Sequence, residues 1–383
     1  MALRRILAAV RLTILALTML AAVPAFADCP SNPYTLQNGQ TADASQLMAN
    51  FNNLLTCFNS LSQPTPVTPG TFAKADYTTV AFTKTGAGTI SLKAGTVIEV
   101  AGSAVTMSAD TAVTMPSLTA GTDYAVYACT DGTIRADANF TAPAGYTTAN
   151  SRKIGGFHYA LANLNVDATP NINAYSLWDL KWRPAAADPR GMVLVAGSFW
   201  ADIYLLGTEH IANGTSAAGK VIADGGSPPK KPLAFGGDGS ASYGDLSWWT
   251  ANEVLAAYGK RPPTYQEFGA LAYGVTENQS VGSDPGTTQH QVGYTSKWGI
   301  EQATGVMWTW GSEFGGPYAS AAWANDNGGR GQDYNLSNVA MFGGYWSGTA
   351  TSGSRSSHWD GAPSASASNY GARGVCSHLA LSN

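Results

Sequence analysis

Charge is what this sequence has least of. Asp, Glu, Lys and Arg together make up 12% of its 383 residues, about half the share of an average soluble chain. With 25 acidic and 21 basic residues the net charge is -4, and no basic stripe exists to follow a phosphate backbone, which excludes nucleic-acid binding. Cysteine is scarce too: Cys29, Cys57, Cys129 and Cys376 are the whole set. Cys29 and Cys57 bracket one helical segment and are the expected disulfide pair in an oxidising compartment. Cys129 and Cys376 sit in separate apolar stretches and read as buried thiols. The five histidines, His158, His210, His290, His358 and His378, are scattered, and neither G-x-S-x-G nor H-E-x-x-H occurs. Neither a nucleophile–base set nor a zinc site is indicated, so the chain reads as a non-enzyme with no cofactor.

What is present begins with a leader. Arg4, Arg5 and Arg11 precede an apolar run from Leu12 to Val23, and Ala25-Phe26-Ala27 has the form of a cleavage site. Residues 1–27 therefore read as a secretory signal, which implies export to the periplasm, the cell surface or the medium. No later run is long and apolar enough to span a bilayer. Residues 28–62 form a helical module in which Leu47, Phe51, Leu54, Leu55 and Phe58 recur at helical spacing. One apolar stripe on so short a helix has to pack on a neighbour. Residues 63–70, with Pro64, Pro66 and Pro69, read as a semi-rigid linker.

From 71 to 175 short β-branched runs alternate with turn signals: Thr78–Lys84, Thr89–Leu92, Thr96–Val100, Asp123–Cys129 and Gly132–Arg135. A β-sandwich-like domain of about 100 residues is expected there. Residues 176–383 differ in character, with nine of the eleven tryptophans at Trp200 or beyond. Two helices are expected, one over Ser247–Tyr258 and one opened by Thr264 as N-cap with Glu267 three residues on, a capping box. A long turn region (276–295), a strand from Val306 to Trp310 and a Gly-rich loop (325–331) follow, giving an α+β domain.

The end of the chain, Met341 to Leu379, carries two interleaved sets. Gly343, Gly344, Trp346, Gly348, Gly353, Arg355, Trp359, Pro363 and Gly371 to Val375 form a stiff frame. Between them stand small or polar residues. From Phe314 onward there is no Lys and no Glu, and the mixture of Tyr, Ser, Thr, Asn and Asp is that of an antibody contact surface. Tyr345, Ser347, Thr349 and Thr351 lie two apart, as do Ala365, Ala367 and Asn369. On an extended chain each set shares one face, with Trp346 and Gly348 on the other. Arg355 and Arg373 are expected to hold backbone carbonyls or carboxylates, and Trp346 and Trp359 to be core.

These residues carry a family likeness. Ser176 to Asp179, Asp188 to Met192, Phe199 to Gly207, Phe235 to Ser240, Thr295 to Gly299, Trp308 to Gly311, Phe342 to Gly344, Ser352 to Arg355 and Gly371 to Cys376 keep the order and spacing of one pattern. On them, residues 71–383 resemble the major tropism determinant family of Bordetella phage, receptor-binding proteins diversified by a retroelement. The resemblance implies a C-type lectin fold for 176–383, a homotrimer, and a variable region over 343–375. By position it places the variable, ligand-binding residues at Tyr345, Ser347, Thr349, Thr351, His358, Asp360, Gly361, Ala365, Ala367, Ser368, Asn369 and Tyr370. Each of these residue types is reached from an Asn codon by changes at its first two bases, as adenine-directed mutagenesis requires. The implied partner is a host or neighbouring-cell surface receptor, of protein nature, and the implied location a virion tail-fibre tip as alternative to export. Residues 1–70 depart from the family's pattern.

Two other readings share the fold. Formylglycine-generating enzymes need paired cysteines, and 176–383 holds only Cys376. A fixed carbohydrate site of the calcium-dependent type needs E-P-N or Q-P-D, and neither occurs. Asp326, Asn327 and Asp333 are the nearest thing to a ligand set. An exported lectin with a fixed site is thus the alternative, and no metal site is expected.

Overall fold

The computed structural model describes residues 33–35, 43–61, 70–210, 214, 217–316, 323–324, 333–334 and 337–382, with no side-chain account of 56–61 or of the two short strands Trp323–Ala324 and Asp333–Tyr334. The leader, Cys29, the linker residues 63–69 and the 325–331 loop, with the calcium-ligand positions Asp326 and Asn327, lie outside the described residues, so the expectations placed on them go no further here. The chain divides into two compact units, 1–67 and 68–383.

In the first unit a helix runs from Ala44 to Leu61. Asp43 begins it, its carboxylate accepting from the Ser45 amide at 2.8 Å and hydroxyl at 2.7 Å, as an N-cap acidic group does. Asn50 faces back onto residues 33–35: its Oδ1 accepts from the Tyr34 amide and its Nδ2 donates to the Tyr34 carbonyl.

The second unit is mostly β. A nine-stranded antiparallel sheet forms its spine, in the order Met192–Val195, Phe199–Asp202, Val375–Ala380, Trp182–Pro184, Trp178–Asp179, Ser151–Ala160, Thr122–Cys129 and Ile134–Asp137, with Asn171–Ile172 paired to Ser151–Ala160. Two three-stranded sheets carry the earlier strands, Phe82–Lys84 with Ile90–Leu92 and Thr111–Ala112, and Phe72–Ala73 with Val97–Val100 and Ser103–Thr106. Phe82, Leu92, Ile98 and Val100 from the small sheets share one core with Tyr124, Val126, Ile154 and Phe157 of the large one. The strands on either side of residue 175 join the same sheet, because Trp178–Asp179 pairs with Gly155 and Gly156. Those two glycines are required by the pairing. A Cβ on Gly155 would stand 2.4 Å from the Trp178 carbonyl and from the Phe82 ring, and one on Gly156 2.5 Å from the Tyr124 carbonyl.

Both expected helices are present, as Trp248–Ala256 capped by Ser247 and Tyr265–Leu271 capped by Thr264. In the second the capping box closes both ways: the Glu267 amide donates to Thr264 Oγ1 at 3.1 Å, and Glu267 Oε2 accepts from the Thr264 amide at 2.9 Å. Phe268 and Leu271 are fully buried from it against Phe342 and Ile300. Residues 276–295 are turns, as expected. The strand expected at Val306 begins instead at Trp308 and runs to Phe314. It is an inner strand of a four-stranded sheet in the order Ser357–Gly361, Val339–Phe342, Trp308–Phe314, Tyr370–Gly371.

Candidate functional site

The site sheet is held from below by Arg373. Its guanidinium is fully buried and donates to four backbone carbonyls, those of Asp202 (2.8 Å), Ile203 (2.7 Å), Glu301 (2.7 Å) and Gln302 (3.2 Å). This is the carbonyl-holding role expected of it. Burial pulls its pKa down to about 10, against the opposing charges of Asp202 and Glu301. Asp202, itself buried, accepts from Lys260 Nζ at 2.6 Å and from the Gly374 amide at 3.0 Å. Burial pushes its carboxyl above the usual range, with Lys260 opposing. The sequence between the sheet and the C-terminal strand is thus pinned at residues 373 and 374.

Gly343 and Gly344 take the chain out of the strand Val339–Phe342. Both have positive φ (93° and 78°), a region that glycine enters freely. A Cβ on Gly343 would press the Phe268 ring at 2.7 Å, and one on Gly344 the Ser352 backbone at 2.7 Å. The turn that follows is closed by Glu277, whose carboxylate accepts from the Ser354 amide (2.8 Å) and hydroxyl (2.6 Å). Thr349 is fixed by its amide, which donates to Ser280 Oγ at 3.0 Å.

The path of residues 345–351 differs from the expected extended chain. Tyr345 bridges to Val306, a turn covers Trp346 and Ser347, and Thr349–Thr351 is a 3-10 turn. Two-residue alternation therefore does not sort this segment. Ser347, Thr349, Ala350 and Thr351 are all exposed, while Gly348 is buried. The same holds for 365–369, which is irregular chain and turn, with Ala365, Ser366, Ala367 and Asn369 all half-buried. That loop is laid on two others: the Ser366 hydroxyl accepts from the Leu246 amide (3.1 Å), and the Ala367 carbonyl accepts from the Gly225 amide (3.0 Å).

Of the twelve positions singled out, Ser347, Thr349, Thr351, His358, Asp360 and Ser368 are exposed, and Tyr345, Ala365, Ala367, Asn369 and Tyr370 are half-buried. Gly361 is the exception. It is buried, and a Cβ there would stand 2.9 Å from Met341 Cε and 3.2 Å from both the Trp310 ring and the Val339 carbonyl. Its expected place on the outward face is corrected accordingly: it ends the edge strand by turning inward.

Trp308, expected within an apolar strand and in one of the stretches that carry the family likeness but not at the site, gathers the face. Its ring lies 5.5 Å from that of His358. Its backbone pairs with Tyr370, and its amide donates to the Asn369 carbonyl at 2.9 Å. Val306, two residues earlier, pairs with Tyr345. His358 Nε2 and Asp360 Oδ1 are 2.7 Å apart on the edge strand. Trp359, expected in the core, is 36% exposed. It lies edge-on to Tyr265 at 5.9 Å and against Gly315, where a Cβ would meet its ring at 2.3 Å. It sits on the end strand of the sheet, which among the described strands pairs only with Val339–Phe342. Trp346 is half-buried against Leu205, Ile222, Val306 and Met307. Arg355, unlike Arg373, is exposed and lines a cleft of about 400 Å³ with Tyr265, Gln266, Gly269 and Ala270. Among the described residues no cluster of three or more His, Cys, Asp or Glu is placed to hold a metal ion.

Comparison with known proteins supplies the setting. The family model for the Mtd second domain matches residues 80–179. A tail fibre receptor-binding protein of Bordetella phage BPP-1 is 54% identical over 324 residues, covering 81% of this chain and 85% of the relative. Among solved structures, the U1 and M1 variants of the major tropism determinant each superpose with a TM-score of 0.80 at 54% identity, over 82% of this chain and 87% of theirs. With that identity sustained over four fifths of its length, the chain belongs to the major tropism determinant family.

Proposed function

We propose that this chain is a non-enzymatic receptor-binding protein whose contact surface is the face gathered around Trp308. The carrying observation is the separation of the two residue sets. Short polar side chains at Ser347, Thr349, Thr351, His358, Asp360 and Ser368 are exposed, while Gly343, Gly344, Gly348, Gly371 and Arg373, among and beside them, are buried. Contact residues can then change without disturbing what holds them. The relatives, named as a receptor-binding protein and as tropism determinants, support the reading. They favour it over a fixed carbohydrate site.

In its finer form the proposal gives residues 176–383 a C-type lectin arrangement, with 71–175 as the sandwich-like domain before it. The positions a retroelement varies are Tyr345, Ser347, Thr349, Thr351, His358, Asp360, Ala365, Ala367, Ser368, Asn369 and Tyr370, and three copies present three faces to a protein receptor. Three-fold engagement multiplies a weak single-site affinity. The tail-fibre relatives support a place at a fibre tip, while the leader-like residues 1–27 support export to a cell surface. Immunogold labelling of phage particles and of cells separates the two.

The test is cell binding by the purified chain, measured by flow cytometry. A variant combining Tyr345→Ala, His358→Ala and Tyr370→Ala should bind at least about tenfold more weakly, since large aromatic contacts dominate such surfaces. Unchanged binding by a correctly folded triple variant overturns the assigned face. A near-copy of the 3′ coding end beside a reverse transcriptase gene, differing only at adenines, supports diversification; without it the site is fixed.

A further inference from the structure

The helix Ala44–Leu61 carries a second surface. Leu47, Met48, Phe51, Leu54 and Leu55 are all exposed, by 41 to 59%. Their order is not merely amphipathic. Ala44, Leu47, Phe51, Leu54, Phe58 and Leu61 follow one another at steps of three and four, the a/d spacing that lets one helix cover another along its length. With Phe51 at an a position, Met48 and Leu55 fall at e. Every a, d and e position in the helix is apolar, and the b, c and f positions are Ser45, Gln46, Ala49, Asn52, Asn53, Thr56, Asn59 and Ser60.

Charge decides the occupant. Between Asp43 and Lys74 there is no Asp, Glu, Lys or Arg. A helix lying on an anionic membrane surface carries Lys or Arg on its polar face, and this one has neither. A foreign helix would find no e or g charge to select it. A second copy needs none: identical uncharged seams do not repel, and in parallel register each a or d side chain meets its own equivalent. A seam widened from a/d to a/d/e suits more than two helices.

We propose that Ala44–Leu61 is the oligomerisation element of this chain, a parallel three-stranded coil formed with two further copies. It deepens the three-copy reading given above by naming the segment responsible, and it does not depend on which residues touch the receptor. The helix is 18 residues, about 27 Å long. The coil holds three copies together before any receptor is met, and joining three faces through it raises the strength of their combined engagement.

Sedimentation equilibrium of the full chain measures this directly. The unaltered chain should give a trimer mass. Phe51→Gln with Leu54→Gln should weaken association at least about a hundredfold, since two buried anchors per copy are lost, and leave a monomer. Near-ultraviolet circular dichroism should be unchanged, because all eleven tryptophans lie beyond residue 177. Register is read separately. Oxidised Leu54→Cys should cross-link copies, and Asn52→Cys on the opposite face should not. A monomeric unaltered chain, a double variant that keeps its trimer mass, or equal cross-linking at 52 and 54 overturns the proposal. Single-site receptor binding by the monomeric variant, measured in the same preparation, keeps this outcome distinct from any failure of the face.

Discussion

Replacing Arg373 with Met should cost the fold about 3–5 kcal/mol, a loss typical of breaking a buried ionic arrangement from one side. The estimate comes from its four carbonyl partners, at 2.7 to 3.2 Å. Met reproduces the length of the side chain but none of its donors. Each carbonyl left buried without its donor costs roughly 1–3 kcal/mol. Taken near the low end, because a carbonyl keeps a second lone pair, four of them lose about 4–6 kcal/mol. Removing the cation recovers part of this, since its own burial was unfavourable, as the fall of its pKa to about 10 shows. Arg373→Lys should fall between, because one ammonium cannot span carbonyls from two separate segments. Guanidinium unfolding followed by tryptophan fluorescence gives both numbers. A loss under about 1 kcal/mol for Arg373→Met would refute the view that this residue holds the site sheet to the spine.

Gly361→Leu should destabilise by about 1–3 kcal/mol through overpacking against Met341 and Trp310, whereas Thr351→Tyr and Ser368→Tyr should stay within about 0.5 kcal/mol; calorimetry on the three variants tests the division. Thr264→Ala should cost about 1 kcal/mol by opening the capping box, and Thr264→Ser should restore most of it in the same assay. His290, hydrogen-bonded to Glu301 at 3.0 Å, has its pKa raised by that bond. A raised histidine pKa contributes stability that is full below its unfolded value of about 6.5 and is lost as pH rises through the folded value. The melting temperature of the unaltered chain should therefore exceed that of His290→Gln most at pH below 6.5, and the gap should narrow above it.

Local chemistry was the legible part of the sequence. The capping box at Thr264 and Glu267 and the β-branched runs at Phe82, Ile90 and Val97 each state their conformation within a few residues. The strand Ser151–Ala160 was not legible. No β-branched run marks it, and its two glycines find their reason only in the closeness of Phe82 and Trp178. At the site, composition distinguished frame from contact residues, but alternation misplaced the geometry. Residues 345–351 turn because Gly343 and Gly344 have positive φ and Glu277, some 77 positions away, closes the loop. Trp308, Glu277 and Ser280 act through tertiary neighbours, and no local pattern marks them.

The position of the last strand decides which changes near the face the fold survives. Val375–Ala380 lies inside the nine-stranded sheet, paired on one side with Phe199, Trp200 and Ala201 and on the other with Trp182, Arg183 and Pro184. A chain that stops or shifts frame anywhere from 345 to 370 lacks that strand and exposes two unpaired edges in the middle of its spine, surfaces that invite aggregation. Substitution within the face leaves the sheet complete. Folding itself thus discriminates among altered sequences, passing changed letters and discarding broken sentences.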